Sequence, residues 1–208
     1  MGSKDNSIKN LIVDFGGVLV GLDRNRCISR FKALGVEDID GLINFYVQND
    51  LFGRHEKGAI DDAQFRDGLR AATDTTNPSD DEIDEAWNAF LTDVPRHKLD
   101  ALKRKRAEGF KVFLLSNTNN IHWTYSVRHF FSADGYHLDD CFDRVFLSYE
   151  LKLVKPDPAI FKTMLDAAGI DASETLFIDD SEANCQAARS LGISTIHVTP
   201  DVDWTTMI

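Results

Sequence analysis

Alternation of short apolar runs with helical stretches is the feature that most limits how this chain can fold. From residue 96 onward, runs of strand length are each followed by a stretch with apolar residues at helical spacing. Such alternation is typical of βαβ units, whose strands are parallel. It predicts an α/β fold with a doubly wound parallel sheet. Strands are expected near 9–14, 110–115, 143–148, 175–179 and 194–198, and helices near 97–108, 120–132, 158–168 and 182–191.

The segment from about residue 22 to 95 has a different pattern, with several amphipathic helices and no convincing strand. One of its helices is expected to begin at a capping box formed by Ser79 and Glu82. We therefore predict two units. Residues 1–21 and 96–208 form a Rossmann-like core, and residues 22–95 form a helical domain inserted after the first strand.

Composition narrows the classes of partner. A net charge of −11 disfavours nucleic acid and acidic membrane surfaces, which are bound through Lys and Arg side chains. No apolar run is long enough to span a bilayer, and residues 1–6 lack the apolar stretch of a signal peptide. Cys27, Cys141 and Cys185 are an odd number at unrelated spacings, as expected of thiols in a reducing compartment. We expect a cytoplasmic protein, a monomer or homodimer, that acts on a small molecule.

Residues able to handle phosphate follow four of the apolar runs. Ligands of open α/β sheets bind beyond the carboxyl ends of parallel strands, so residues at several strand ends converge there. Each residue alone has an ordinary alternative as a turn, a helix cap or a solvated side chain. Their joint occurrence at strand ends favours a phosphoryl-transfer centre. The residues are Asp14, Ser116 with its neighbour Asn117, Lys155, and the pair Asp179 and Asp180.

The order and type of these residues resemble the four motifs of the haloacid dehalogenase (HAD) superfamily, and the resemblance spans nearly the whole chain. Most members are magnesium-dependent phosphatases, and many place an inserted helical cap over the active site. The Asp-x-Gly first motif at Asp14 to Gly16 is similar to that of a bacterial subgroup that includes α-D-glucose-1-phosphate phosphatase. The cap segment from His55 to Ile60 is also similar to that subgroup.

The resemblance implies a role for each motif residue. Asp14 is the implied nucleophile that forms an aspartyl-phosphate, while Ser116 and Lys155 stabilise the charge of the transferring phosphoryl group. Crowded carboxylates also require a hard cation, and Mg²⁺ prefers oxygen ligands. The implied ligands are Asp14, the backbone carbonyl of Gly16, Asp180, and Asp179 as a ligand or its neighbour, with Asn184 as a weaker candidate.

Phosphate and substrate contacts are implied for two groups of residues. Ser116, Asn117 and Lys155 are expected to bind phosphate, and His55 and Glu56 are expected to reach the substrate from the cap. The alternative for His55 and Glu56 is a solvated helix end before Gly58.

Gly16 departs from the family pattern, in which a second aspartate protonates the leaving oxygen. Loss of such a group costs about 10²- to 10⁴-fold in rate. Either the substrate has a good leaving group, or another residue supplies the proton. Asp23 and His55 are the candidates for that role, although Asp23 is favoured as the cap of the first helix in the inserted segment.

These observations predict a Mg²⁺-dependent phosphatase that acts on a small phosphorylated metabolite, such as the sugar phosphate glucose-1-phosphate. One alternative is a phosphate-binding or phosphoacceptor protein whose catalysis is impaired at Gly16. A haloacid dehalogenase is disfavoured, because displacement at carbon needs no divalent metal and leaves Asp179 and Asp180 without a purpose.

Overall fold

A computed structural model of the protein describes residues 7–42, 51–73, 76–132 and 136–208. The expectation that no signal peptide is present concerns residues 1–6, which lie outside these ranges. In the described parts, no helix combines the length and the apolar character needed to cross a membrane. Cys27, Cys141 and Cys185 are free and buried, and burial raises the pKa of the Cys27 thiol to about 12.

The centre of the molecule is a sheet of five parallel strands, so the predicted α/β fold is confirmed. In chain order the strands are β1 (Asn10–Val13), β2 (Lys111–Ser116), β3 (Arg144–Leu147), β4 (Thr175–Asp179) and β5 (Ser194–His197). Their order across the sheet is β3-β2-β1-β4-β5, which places β1 in the middle. All four residues of β1 are buried, as expected for a strand covered on both faces.

The register of the strands sets the height of the polar residues that follow them. Val13 of β1 pairs with Leu114 of β2 on one side and with Ile178 of β4 on the other. Asp14 and Asp179 each follow one of these paired residues, so they reach the carboxyl edge of the sheet at the same level.

Helices and two short 3-10 turns surround the sheet. The 3-10 turns are Ala172–Glu174 and Trp204–Thr206. In the described ranges the α-helices are α1 (Arg24–Ala33), α2 (Ile39–Leu42), α3 (Leu51–Glu56), α4 (Asp62–Arg70), α5 (Asp80–Asn88), α6 (Arg96–Ala107), α7 (Asn120–Phe130), α8 (Leu138–Cys141), α9 (Ser148–Leu151), α10 (Pro158–Ala168) and α11 (Glu182–Arg189).

Local sequence signals set several helix starts, and those at Asp23 and Ser79 are as predicted. The side chain of Asp23 accepts a hydrogen bond from the Arg26 backbone and caps α1. Ser79 and Glu82 form a capping box at α5. Asp157 caps α10, which has proline at its first position.

Apolar side chains form three clusters. Alternate residues of β1 point to opposite faces of the sheet, so Leu11 and Val13 belong to one cluster and Ile12 to another. The third cluster lies among the helices α1 to α5 and also includes Ile121 of α7. These five helices all lie in the predicted inserted segment, and the division into a core and a cap stays a prediction.

His122 on α7 links the sheet-covering helices to α5. Its ring is buried and stacks on Trp87 with 4.1 Å between the ring centroids. Nε2 lies 3.0 Å from the backbone carbonyl of Trp87, which can only accept, so Nε2 carries the proton. Nδ1 is then the acceptor for the side-chain amide of Asn119, at 3.3 Å. Burial lowers the pKa of His122 to about 3, and the ring is neutral at pH 7.

This pKa predicts a pH dependence of folding stability. Below pH 6.5 the unfolded chain binds a proton at His122 that the folded protein excludes, so stability falls as the pH falls toward about 3. Between pH 6.5 and 5, native protein should lose about 2 kcal/mol of its free energy of unfolding because of His122. The variant His122→Gln should not show this loss. The measurement is urea unfolding of native protein and variant at both pH values. His129→Gln, an exposed position on the same helix, is the control and should leave the acid loss unchanged.

Candidate active site

Three carboxylates meet at the carboxyl edge of the sheet. Asp14 directly follows β1, Asp179 is the last residue of β4, and Asp180 comes next. Oxygen atoms from all three side chains lie within 4.8 Å of one another. Asp14 and Asp179 are buried, whereas Asp180 is exposed. The carboxylates that follow the ends of β1 and β4 therefore come together, as expected.

Lys155 places an ammonium group among these carboxylates. Its Nζ lies 2.7 Å from Oδ1 of Asp14 and 2.6 Å from Oδ2 of Asp179, and it donates to the Leu115 carbonyl at 3.0 Å. These three acceptors satisfy all three N–H groups. Burial alone lowers the pKa of Lys155, but attraction to Asp14 and Asp179 raises it above its ordinary value. The side chain is a permanent cation.

Asp179 is held by hydrogen bonds on both oxygens. Oδ1 accepts from the Ser181 backbone at 2.8 Å and from the Asn184 side chain at 2.9 Å, while Oδ2 accepts from Lys155. Asn184 is buried and does not lie on the exposed surface of α11. Its amide orients Asp179 from the first turns of α11.

Asp14 keeps one oxygen available. Lys155 binds Oδ1, and Oδ2 accepts no hydrogen bond from the described residues. Burial raises the pKa of Asp14 well above its usual range; Lys155 opposes this shift, and the charge of Asp179 adds to it. Burial and Asp179 also raise the pKa of Asp180. The carboxyl groups therefore need more positive charge than one lysine supplies.

This donor set fits a hard divalent cation. Three carboxylates against one ammonium group leave two negative charges when all are ionised. Oxygen ligands of this kind are those preferred by Mg²⁺. The carboxylate oxygens of Asp14 and Asp180 accept fewer hydrogen bonds than those of Asp179, so Asp14 and Asp180 are the better placed ligands. Asp179 instead holds Lys155 and Asn184.

Two adjacent glycines after Asp14 have different steric requirements. Gly17 has φ of 75°, and a Cβ there would lie 2.1 Å from Oδ2 of Asp180, so only glycine fits. At Gly16 φ is ordinary, and a Cβ would meet only Leu22, at 3.5 Å. Gly17, which the sequence did not single out, is the sterically constrained member of the pair.

Ser116 and Asn117 follow β2 and have separate roles. Ser116 is buried, and its hydroxyl donates at 3.3 Å to the Asn117 carbonyl. The side chain of Asn117 donates to the Lys155 carbonyl at 2.9 Å and accepts from the Lys155 backbone N–H at 2.8 Å. Because both ends of this amide are used, the Asn117 side chain positions Lys155. The prediction that Asn117 binds phosphate therefore applies only to its backbone N–H group.

His55 is buried, so the alternative of a solvated helix end is wrong for this residue. Its ring stacks on Phe65 at 4.2 Å between centroids, and Nε2 lies 2.8 Å from Oδ1 of Asp62. The hydrogen bond from His55 is the main cause that lowers the pKa of Asp62. The carbonyl of Glu56 accepts from the Ser148 hydroxyl at 2.6 Å, which joins this segment to the end of β3.

A cavity of about 320 Å³ lies beside this contact. Asn120, the first residue of α7, donates to Oδ2 of Asp62 at 2.7 Å, and Lys152 donates to the Gly58 carbonyl at 2.7 Å. The cavity therefore lies between the helical segment and the carboxyl ends of β2 and β3. Its polar lining includes His55, Asp61, Asp62, Gln64, Asn120, Tyr149 and Lys152.

The model of the haloacid dehalogenase-like hydrolase family matches residues 8–192, which include every strand end described above except that of β5. The chain belongs to this family. It is 35% identical to D-ribitol-5-phosphate phosphatase of Bacteroides thetaiotaomicron over 197 residues, or 95% of each chain.

Solved structures of HAD enzymes match nearly the whole chain. One is a HAD family enzyme from Bacteroides thetaiotaomicron in complex with magnesium and inorganic phosphate. It has a TM-score of 0.92 and 46% identity, and the match covers 97% of this chain and 100% of that one. Another, described as a predicted HAD-like family hydrolase from Porphyromonas gingivalis, has a TM-score of 0.88 and 33% identity over 96% and 95% of the two chains.

These matches confirm the prediction of a HAD phosphatase and its Mg²⁺ cofactor. They do not support the more specific assignment to the glucose-1-phosphate phosphatase subgroup, since the relative that matches 95% of the chain is named a D-ribitol-5-phosphate phosphatase. The roles of the individual site residues in this HAD phosphatase stay predictions.

The buried ion pairs of Lys155 should be measurable as stability. Lys155→Met leaves the carboxylates of Asp14 and Asp179 without a cation and should cost about 3–5 kcal/mol at pH 7 in EDTA. It should also raise the pKa of Asp14 further above about 7, so the variant should lose stability relative to native protein as the pH rises above 7, where native Asp14 is ionised and Asp14 of the variant still binds a proton.

Urea unfolding at pH 7 and pH 9 tests this expectation. Lys162→Met, at an exposed lysine on α10, is the control and should change stability by less than about 0.5 kcal/mol. A Lys155→Met variant as stable as the control at pH 7 would contradict the electrostatic account.

Proposed function

We propose that this HAD phosphatase hydrolyses a small sugar phosphate or sugar-alcohol phosphate through a phosphoryl intermediate on Asp14. The observation that carries this proposal is the free Oδ2 of Asp14, next to an Oδ1 that is held by Lys155 at 2.7 Å. A carboxylate with one oxygen fixed and the other available is oriented for attack on phosphorus.

In the first step, Oδ2 of Asp14 attacks phosphorus, the new O–P bond forms, and the ester P–O bond breaks with its electron pair on the leaving oxygen. Lys155 lowers the pKa of Asp14 and so favours the ionised form that this attack needs, whereas burial raises the pKa. Oδ1 of Asp14, the side chain of Asp180 and the carbonyl of Gly16 would hold Mg²⁺, which would supply positive charge to the phosphoryl oxygens and leave Oδ2 of Asp14 for the attack. Ser116 donates a hydrogen bond to the same oxygens.

In the second step, water attacks phosphorus and the bond between phosphorus and Asp14 breaks, which returns the carboxylate and releases inorganic phosphate. Both candidates for the missing acid are engaged in contacts elsewhere. Asp23 caps α1, and His55 is buried against Asp62. The leaving oxygen therefore departs without a proton from the first motif, which favours esters of acidic leaving groups.

The substrate class is supported by the ribitol-5-phosphate phosphatase relative, and the 320 Å³ cavity, whose lining includes none of the three carboxylates of the proposed metal site, is proposed to hold the polyol part of the substrate. Carboxylate, amide and ammonium groups line this cavity, and they suit the hydroxyl groups of a polyol chain. D-Ribitol-5-phosphate is thus the first substrate to assay, and glucose-1-phosphate is the second. Their leaving groups differ, because a primary alcohol is less acidic than an anomeric hydroxyl.

A second candidate function is a phosphoacceptor that binds phosphate on Asp14 and releases it slowly. Gly16 favours this candidate, because the same missing residue would activate the water in the second step. Single-turnover assays distinguish the two functions. A phosphorylated protein that persists after the alcohol is released would support the phosphoacceptor.

The nucleophile can be tested by removing its charge. Asp14→Asn and treatment of native protein with EDTA should each abolish phosphate release from D-ribitol-5-phosphate and p-nitrophenyl phosphate. The stability of Asp14→Asn at pH 7 should not fall, since the variant buries a neutral amide in place of a carboxyl group with a raised pKa.

Asp23→Asn is the matched control for Asp14→Asn, because asparagine also caps helices and α1 should remain intact. This variant should keep native activity. Loss of activity in Asp23→Asn would identify Asp23 as the missing acid, and activity retained in Asp14→Asn would exclude the proposed nucleophile.

The two glycines give a test of the missing acid. Gly16→Asp fits the space beside Leu22 and should raise kcat/KM for alkyl phosphates about 10- to 100-fold, with little change for p-nitrophenyl phosphate. Gly17→Ala should lower activity on every ester, because its Cβ displaces Asp180. If Gly16→Asp lowers activity on both ester types as Gly17→Ala does, the leaving-group account of Gly16 is wrong.

A further inference from the structure

The segment after β5 returns to the loop that follows the proposed nucleophile. Trp204 lies in the 3-10 turn Trp204–Thr206, and its side chain is completely buried. Its indole Nε1 donates to the backbone carbonyl of Val18 at 3.3 Å. Lys98 of α6 donates to the same carbonyl through Nζ. Two donors from distant parts of the chain therefore hold one carbonyl oxygen.

The loop that contains Val18 also contains both glycines of the proposed metal site. The Gly17 backbone N–H donates to the Val20 carbonyl at 2.9 Å, and the Val20 N–H donates to the Phe15 carbonyl at 2.9 Å. These bonds make the loop from Phe15 to Val20 a closed turn. A shift of Val18 is consequently passed to Gly17 and Gly16.

Gly17 transmits the position of this turn to Asp180. The space for a Cβ on Gly17 is already filled by the Asp180 carboxylate, with Oδ2 at 2.1 Å from that position. The turn and the carboxylate are therefore packed against each other. The carbonyl of Gly16 and the side chain of Asp180, both proposed metal ligands, share one support.

We propose that Trp204 and Lys98 are positioning residues, which hold the Phe15–Val20 turn where Gly16 and Asp180 can bind the same divalent cation. The inference rests on the proposed metal site. Both lone pairs of the Val18 carbonyl are used, and the two donors approach from different elements, so the oxygen is restrained in more than one direction. The C-terminal segment thereby gains a role at the active site without contact with substrate.

The chain offers a matched pair of tryptophans for the test. Trp204→Phe removes an indole N–H that binds Val18, whereas Trp87→Phe removes a buried indole N–H that has no partner among the described residues. Both substitutions keep an aromatic ring and delete similar volume. They differ in the hydrogen bond to the turn.

The measurement is Mg²⁺ binding by isothermal titration calorimetry in the absence of substrate. Trp204→Phe should weaken Mg²⁺ binding by about fivefold, the effect of one ordinary hydrogen bond, and Trp87→Phe should bind as native protein does. Lys98→Met should weaken binding in the same direction, and the double variant should be weaker than either. In assays, saturating Mg²⁺ should restore the kcat of Trp204→Phe.

Native Mg²⁺ affinity in both Trp204→Phe and Lys98→Met would overturn the inference, as would equal weakening in Trp87→Phe. If Trp204→Phe does not fold, Lys98→Met decides alone. The titration also separates this inference from the proposed function. If the variants show the expected order of Mg²⁺ affinity but native protein releases no phosphate, the proposed function is refuted and the positioning role is supported.

Discussion

The buried ion pairs of Lys155 with Asp14 and Asp179 are the interaction on which the rest of the site depends. Carboxylates this close together, with two of them buried, cannot all stay ionised unless cations are held among them. One lysine compensates only part of the charge, and the remainder creates the affinity for a divalent metal. Asn117 fixes the backbone of Lys155, so the loop after β2 determines where that charge lies.

The segment that contains α1 to α5 contacts the rest of the protein in two ways. On one side, Trp87 stacks on neutral His122 in an apolar environment. On the other, Ser148 and Lys152 donate to backbone carbonyls of the segment that contains His55. The apolar contact joins the two parts, and the contact of Lys152 with Gly58 lies at the cavity of about 320 Å³. Apolar and polar contacts are therefore made by different surfaces of the same segment.

Gly16 and Gly17, which follow Asp14, differ in why a glycine matters at each position. Gly17 is required by its positive φ and by the carboxylate of Asp180, so its absence of a side chain is a matter of space. Gly16 has room for a side chain, and its importance is that it lacks the carboxyl group which could protonate the leaving oxygen. On the proposed mechanism, a site without the acid at Gly16 depends on electrostatics and on the leaving group more than on proton transfer.

The sequence by itself determined the strands, most helix starts and the residues at the strand ends, because hydrophobic period, capping and chain breaks are local signals. Tertiary structure decided what those residues contact. The amides of Asn117 and Asn184, the burial of His55 and the bond from Trp204 to Val18 depend on the neighbours that folding supplies. Several of these partners lie far away in the chain, and a local pattern carries no information about a partner that distant. Only the packed fold specifies which polar groups are left for a metal and a substrate.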